Sequence, residues 1–389
     1  MILYIISLII ILSLLTYIAI KQKNFNVIIV FLCTCIVIYF LSFPKQCINS
    51  TIFGAKIFFT AVFPSIFPFL IICNLLINYD GVNIYSKLFG KLLCKPLRLS
   101  KACSLTIIIS ALCGYPLGAK YACDTYEKSL ITKEEWKRLL NIASNTSPLF
   151  IVGSVATAMM GMPKLGYLLL ISNYISCIMM SLVVKPAPYY RSSYFRNEDE
   201  AVKVINLGSK LKNSIENALK TVLSIGAYII FFAVLLDIIS YNKYFDLILS
   251  SLIPNTLLKD LVKYFMLGII ELTKGCQLIS TLNISITLKA ILISFLSAFS
   301  GLSITSQVYS FTYKFPEFSI KTYIKRKAVQ GLFSSLTTAV LMIPFNKFSQ
   351  NTFSGNLTGV SSNVVYLVLI ILLLLPLCIH GIKKLLHVS

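Results

Sequence analysis

Residues 139–162 form an apolar run long enough to cross a bilayer, yet the middle of that run cannot be an uninterrupted helix. The stretch reads Ser144-Asn-Thr-Ser-Pro-Leu-Phe-Ile-Val-Gly-Ser154. Pro148 has no backbone N–H and disfavours helical geometry in Ser147 before it. Ser144, Asn145, Thr146 and Ser147 carry side chains that bond nearby backbone groups and compete with the helix ladder. A helix broken at membrane depth leaves N–H and C=O groups that hydrocarbon cannot satisfy, so the break must be buried in protein or line a cavity. A second break follows at Phe299-Ser-Gly-Leu-Ser-Ile-Thr-Ser-Gln307. Interrupted helices at matching places in two halves are the signature of a transporter-like binding site.

The rest of the chain fits a membrane protein. Of 389 residues, 57% are hydrophobic and 13% charged, and the mean hydropathy is +0.82. A net charge of +21 would suit nucleic acid, but the basic residues sit in short loops between apolar segments. That placement is the positive-inside pattern, and no nucleic-acid partner is expected. The eleven cysteines show no metal-ligand spacing and read as small apolar core residues. His380 and His387 are the only histidines, which argues against His-based triads and zinc chemistry. No catalytic residue, metal or cofactor is expected, and the chain does not read as an enzyme.

Taken in order, residues 2–20 read as a retained first span rather than a signal peptide, and residues 25–43 as a second. Residues 57–79, with Pro64 and Pro68, make a third. The basic stretch Lys87, Lys91, Lys95, Arg98 and Lys101 reads as cytoplasmic, as does a later one with Lys128, Lys133, Lys137 and Arg138. If both flanks are cytoplasmic, residues 102–119 enter and return as a re-entrant hairpin, with Gly114, Pro116 and Gly118 at or after its turn. Residues 139–162 then span and 165–184 return.

A basic linker, 185–220, separates the halves. Beyond it lie a span at 221–240 carrying Asp237, an interfacial segment at 243–260 and a second hairpin at 261–282. A broken span at 286–311 follows. Lys314, Lys321, Lys325, Arg326 and Lys327 mark a cytoplasmic loop, and 328–345 and 364–382 are the last spans. The expected fold is an all-α polytopic membrane protein, N-terminus outside and C-terminus inside. It comprises two N-terminal helices (1–43), a first repeat (55–184), the linker (185–220), an inverted second repeat (221–312) and a C-terminal pair (313–389). In the repeat, Asn74 matches Asp237, Gly118 matches Gly275 and Pro148 matches Gly301. A competing register sets Ser110-Ala111 and Gly114 against Ser297-Ala298 and Gly301, without matching the surrounding spans.

Several polar residues in these apolar segments can serve a site or only packing. Glu271 can take a coupling cation or proton, and Lys274 can face an anion beside Thr273; equally, Glu271 and Lys274 can neutralise each other as an i,i+3 pair. Lys120 can reach an anion at the first hairpin, or simply snorkel to the interface. Asn145, Thr146, Ser147, Ser300, Ser303, Thr305 and Gln307 surround the breaks. They can hold a polar or anionic solute alongside half-helix N-termini, or act as interhelical glue. Trp136 reads as an interface anchor.

The motifs Cys113-Gly-Tyr-Pro-Leu-Gly-Ala-Lys120, Leu130-Ile-Thr-Lys-Glu-Glu135 and Ser144 to Ser154 resemble the YlbJ, or SpoVV, family of sporulation integral membrane proteins. In the second half, Glu271-Leu-Thr-Lys-Gly275 and Phe299-Ser-Gly-Leu-Ser303 with Gln307 agree. Ser300 stands where glycine is expected. The resemblance covers roughly residues 55–345. It implies a nucleoside-recognition Gate domain related to concentrative nucleoside transporters. It also implies transport of dipicolinate, a small planar dianion, across the outer forespore membrane of a sporulating cell. Lys120, Lys274 and the half-helix N-termini would suit that solute. A non-transporting scaffold for assembly of the spore envelope, acting through its cytoplasmic loops, is the alternative.

Overall fold

The computed structural model describes residues 25–184, 207–240 and 243–350, and every regular element among them is helical. Helix α1 (Phe25–Ser42) turns sharply at Phe43 into α2 (Pro44–Ile57), where Pro44 fixes the first turn. A wide π-helical turn, Phe58–Val62, joins α2 to α3 (Phe63–Asn78). Pro64 and Pro68 remove two ladder donors there, and the wide turn absorbs the irregularity. Helix α4 (Gly81–Cys94) leaves α3 at 94° and exposes Ile84, Leu88 and Leu92 along one stripe.

Next come two short helices folded on each other, α5 (Ser104–Cys113) and α6 (Leu117–Glu127). Their turn contains a cis Tyr115–Pro116 bond. Ten residues of helix rise about 15 Å, half a bilayer, so neither arm crosses alone. Helix α7 (Lys133–Ile142) starts at a capping box in which Thr132 and Glu135 satisfy each other's backbone N–H. It stops at the first break, and the chain resumes as a π-helical segment, Leu149–Met159, then α8 (Pro163–Val183).

The second half follows the same order. A long helix, α9 (Leu207–Ser240), precedes a short amphipathic one, α10 (Lys243–Leu252). A hairpin of α11 (Thr256–Ile270) and α12 (Leu272–Thr281) comes next. The broken helix α13 (Ile286–Phe299) and α14 (Gly301–Thr312) precedes the long α15 (Ile320–Gln350).

The halves exchange contacts reciprocally. Helix α6 packs on α14 of the other half, and α12 packs on the π-helical segment of the first. The α2–α3 rod lies antiparallel to α9, with Ser50 bonded to Asp237 at one end and Asn74 to Ser214 at the other. A shared apolar cluster with Ile151, Leu272, Cys276 and Leu296 ties the halves together. Among the described residues four helices are long and apolar enough to cross a membrane, or up to six if each of two bent pairs is one span. The protein is an all-α, multi-pass membrane protein.

Several expectations are corrected. Helix α9 begins at Leu207, inside the stretch read as linker; Ser214 and Ala218 are buried at helical spacing and carry the helix through its lysines. Helix α7 begins at Lys133, because the capping box starts it six residues before the apolar run. Helix α15 begins at Ile320, so Lys327 is not in a loop but wholly buried. Trp136 is fully buried, stacked on Tyr126 at 4.8 Å and edge-on to Phe315, and anchors no interface. The ten described cysteines are unbridged, and seven are buried. The spans at 2–20 and 364–382, residues 185–206 and the loop after Gln350 lie outside the described residues.

Candidate functional site

The site is built from two joints, each made by a hairpin tip and a helix break of the same half. In the first joint the tip Gly114-Tyr-Pro-Leu-Gly118 presses on the break. Gly114 has φ +76°, and a Cβ there would stand 2.5 Å from the Ser147 nitrogen. A Cβ on Gly118 would stand 1.7 Å from the Ala143 carbonyl oxygen, so no larger residue fits without moving backbone. The Tyr115 N–H donates to the Asn145 carbonyl at 2.6 Å. Glycine is therefore required by contact with residues some 30 positions away, and not by the turn alone.

The break itself is held by one face of α15 and one of α8. Tyr323, Lys327 and Gln330 lie at i, i+4 and i+7 on α15 and point the same way. Tyr323 shares a hydrogen bond with the Ser144 hydroxyl at 2.7 Å. The Lys327 ammonium donates to the Ser144 carbonyl at 2.5 Å and to Gln330 Oε1 at 2.8 Å. Gln330 Nε2 donates to Asn145 Oδ1 at 2.9 Å, and the Cys177 thiol reaches the same oxygen at 2.9 Å. Asn145 Nδ2 donates back to Ile142 at 2.7 Å. Thr146 Oγ1 accepts from Asn173 at 2.5 Å, and Ser147 Oγ caps the π-helical segment through Phe150 N–H at 3.2 Å. All four polar residues of the break thus have protein partners.

In the second joint Glu271 interrupts the hairpin. Its carboxylate accepts from the N–H groups of Thr273 at 3.0 Å and Lys274 at 2.8 Å, and so caps α12. The Glu271–Lys274 ion pair does not form, because the carboxylate is committed to backbone; the Lys274 ammonium lies 5.7 Å from the Phe53 ring instead. The hairpin arms meet at Gly268 and Gly275, where a Cβ on Gly275 would come within 2.1 Å of the Gly268 Cα. The tip lies over the second break, with the Ile269 carbonyl 3.3 Å from where a Gly301 Cβ would be. Ser300 is left-handed at φ 75° and fully buried, which explains why glycine suits that position. Ser303, Thr305 and Gln307 are buried along α14.

The two joints approach each other. Tyr115, from the first hairpin, donates to the Ser297 carbonyl on α13 at 3.4 Å. The Tyr323 phenol that bonds Ser144 also faces the Ser300 hydroxyl. Lys120 stands apart: its ammonium pairs with Asp124 at 2.6 Å and lies 4.4 Å from the Tyr121 ring. Its charge is met locally, one turn down its own helix.

Sequence reasoning missed Tyr323, Lys327, Gln330 and Asn173. Lys327 follows Lys325 and Arg326, so it reads as part of a basic loop. One signal was available: Tyr323, Lys327, Gln330, Ser334 and Thr338 recur at three- and four-residue spacing, a polar stripe in an apolar helix. The structure buries all five.

Over 331 residues the chain is 23% identical to the sporulation integral membrane protein YlbJ of Bacillus subtilis (strain 168), a match spanning 78% of this chain and 79% of that protein. No protein-family model and no solved structure matches. The match and the motif resemblance point to the same family.

Proposed function

Starting from the chain's place among YlbJ-like sporulation integral membrane proteins, we propose that it moves a small anionic solute, dipicolinate, across the outer forespore membrane by alternating access. The observation that carries this reading is the pair of joints. Each puts unwound backbone and buried hydroxyl or amide groups against a hairpin tip, and the two meet through Tyr115 and Tyr323. Non-helical backbone is costly at membrane depth and is retained where it lines a path or a site. Moving a dianion against the potential takes about 4.6 kcal/mol per 100 mV, so the carrier uses the potential or a coupling cation or proton. Glu271 is the coupling group in this reading. Protonation weakens its hold on the Thr273 and Lys274 N–H groups and loosens the second hairpin.

The test is uptake of labelled dipicolinate by proteoliposomes carrying the full chain. Saturable uptake, lost in Asn145→Leu and changed in its dependence on an imposed pH gradient in Glu271→Gln, is the expected result. Absence of uptake from folded protein under every gradient rejects the reading.

One observation favours a second reading, a membrane scaffold for the spore envelope. Every side chain of Ser144–Ser147 is already satisfied by protein, as a packing device would be. A scaffold predicts that charge reversals within 185–220 disturb spore development while Asn145→Leu does not.

A further inference from the structure

Lys327 is wholly buried, and its hydrogen-bond partners are a backbone carbonyl and an amide oxygen. Two half-buried lysines of the described residues have carboxylates: Lys120 pairs with Asp124 and Lys263 with Asp246, both at 2.6 Å, while the half-buried Lys289 donates to the Ser280 carbonyl. No carboxylate among the described residues pairs with Lys327. The Ser144 carbonyl lies just beyond the C-terminal end of α7, whose dipole supplies roughly half a negative charge at most. Arg138 is gripped by the carbonyls of Leu97, just after α4, and of Ser181 and Val184, at the end of α8. Lys327 has two acceptors for three ammonium protons, and it sits against the first break.

From this we infer that Lys327 receives a carboxylate of the transported solute. The inference rests on the carrier reading and goes beyond it by naming the residue that meets the anion. A carboxylate arriving at the break replaces the Ser144 carbonyl on the ammonium with a charged acceptor, and charge-assisted bonds are about twice as strong as neutral ones. The neighbouring groups on the same face, the Tyr323 phenol and the Gln330 amide, now bonded to Ser144 and Asn145, are the donors a second carboxylate oxygen would draw on. Releasing the Ser144 carbonyl removes one of the three ties between the break and α15, beside those of Tyr323 and Gln330, which links occupancy to the hold on that helix. The site would therefore accept small carboxylates and discriminate against neutral isosteres of the same shape, since a buried ammonium gains little from an amide.

The experiment measures binding and transport separately on the full chain in detergent micelles and proteoliposomes. Thermal stabilisation is titrated with pyridine-2,6-dicarboxylate and with pyridine-2,6-dicarboxamide. Wild-type protein is expected to bind the dicarboxylate at least roughly tenfold more tightly than the dicarboxamide. Lys327→Met is expected to lose that preference and Lys327→Arg to keep part of it. Equal binding of the two probes by wild type, or an undiminished preference in folded Lys327→Met, overturns the inference. If Lys327→Met does not fold, Lys327→Arg carries the test, and an undiminished preference in folded Lys327→Arg overturns the inference. Uptake of dipicolinate by wild type reports on the carrier reading by itself, so a carrier whose anion preference does not involve Lys327 is recognised as such.

Discussion

The hydroxyl of Ser50 on α2 donates to the carboxylate of Asp237 on α9. Its counterpart is the Asn74 amide, which donates to the Ser214 carbonyl at 3.2 Å at the other end of the same helix pair. The two contacts hold opposite ends of an antiparallel pairing. Ser50 also donates to Gln46, so it keeps a partner when Asp237 is lost. Asp237→Asn should be close to neutral, and Asp237→Leu should cost roughly 0.5–1.5 kcal/mol, read as a lowered melting temperature in detergent.

Gly118→Ala should be far more damaging. Its Cβ would stand 1.7 Å from the Ala143 carbonyl oxygen, which is backbone and cannot rotate away. We expect a loss of about 3 kcal/mol or more, seen as failure to recover folded, monodisperse protein. Gly161 provides the contrast. It has φ +66° but nothing within 4 Å of a Cβ, so Gly161→Ala should cost only about 1–2 kcal/mol from the backbone term.

Ser300→Gly should stabilise the protein by about 1 kcal/mol, because glycine adopts φ 75° without steric penalty. Ser300→Val should destabilise it, since a β-branched side chain at that φ has no space in a fully buried site. Thermal unfolding ranks the three. Retained dipicolinate uptake in Ser300→Gly would show that the hydroxyl facing Tyr323 is dispensable to transport.

Gln330 offers a test that adds charge. Gln330→Glu places a carboxylate 2.8 Å from the Lys327 ammonium, where the amide oxygen now lies. The variant should fold, because the new ion pair offsets the lost donation to Asn145, and its binding of pyridine-2,6-dicarboxylate should fall at least roughly tenfold. Gln330→Leu leaves Asn145 Oδ1 with the thiol of Cys177 alone and should cost about 1–3 kcal/mol. Isothermal titration for the first variant and melting for the second check the pair.

Much of this architecture was legible in the residues because its determinants are local. Pro148 stops a helix whatever surrounds it, and Ser300-Gly301 marks a second interruption for similarly short-range reasons. Gly114 and Pro116 mark a turn, and the apolar segments flanking them are too short to cross. Those facts specify helices, breaks, hairpins and their order. The partners were not legible, because they are fixed by packing between distant segments. Glu271 could pair with Lys274 or cap its own helix, and backbone geometry at the tip chose the cap. Trp136 could face lipid or core, and Tyr126 with Phe315 drew it inward. Lys327 looks like any lysine of a basic loop. Only the seating of α15 against the first break, 183 residues away in the chain, turns it into a buried cation on the Ser144 carbonyl.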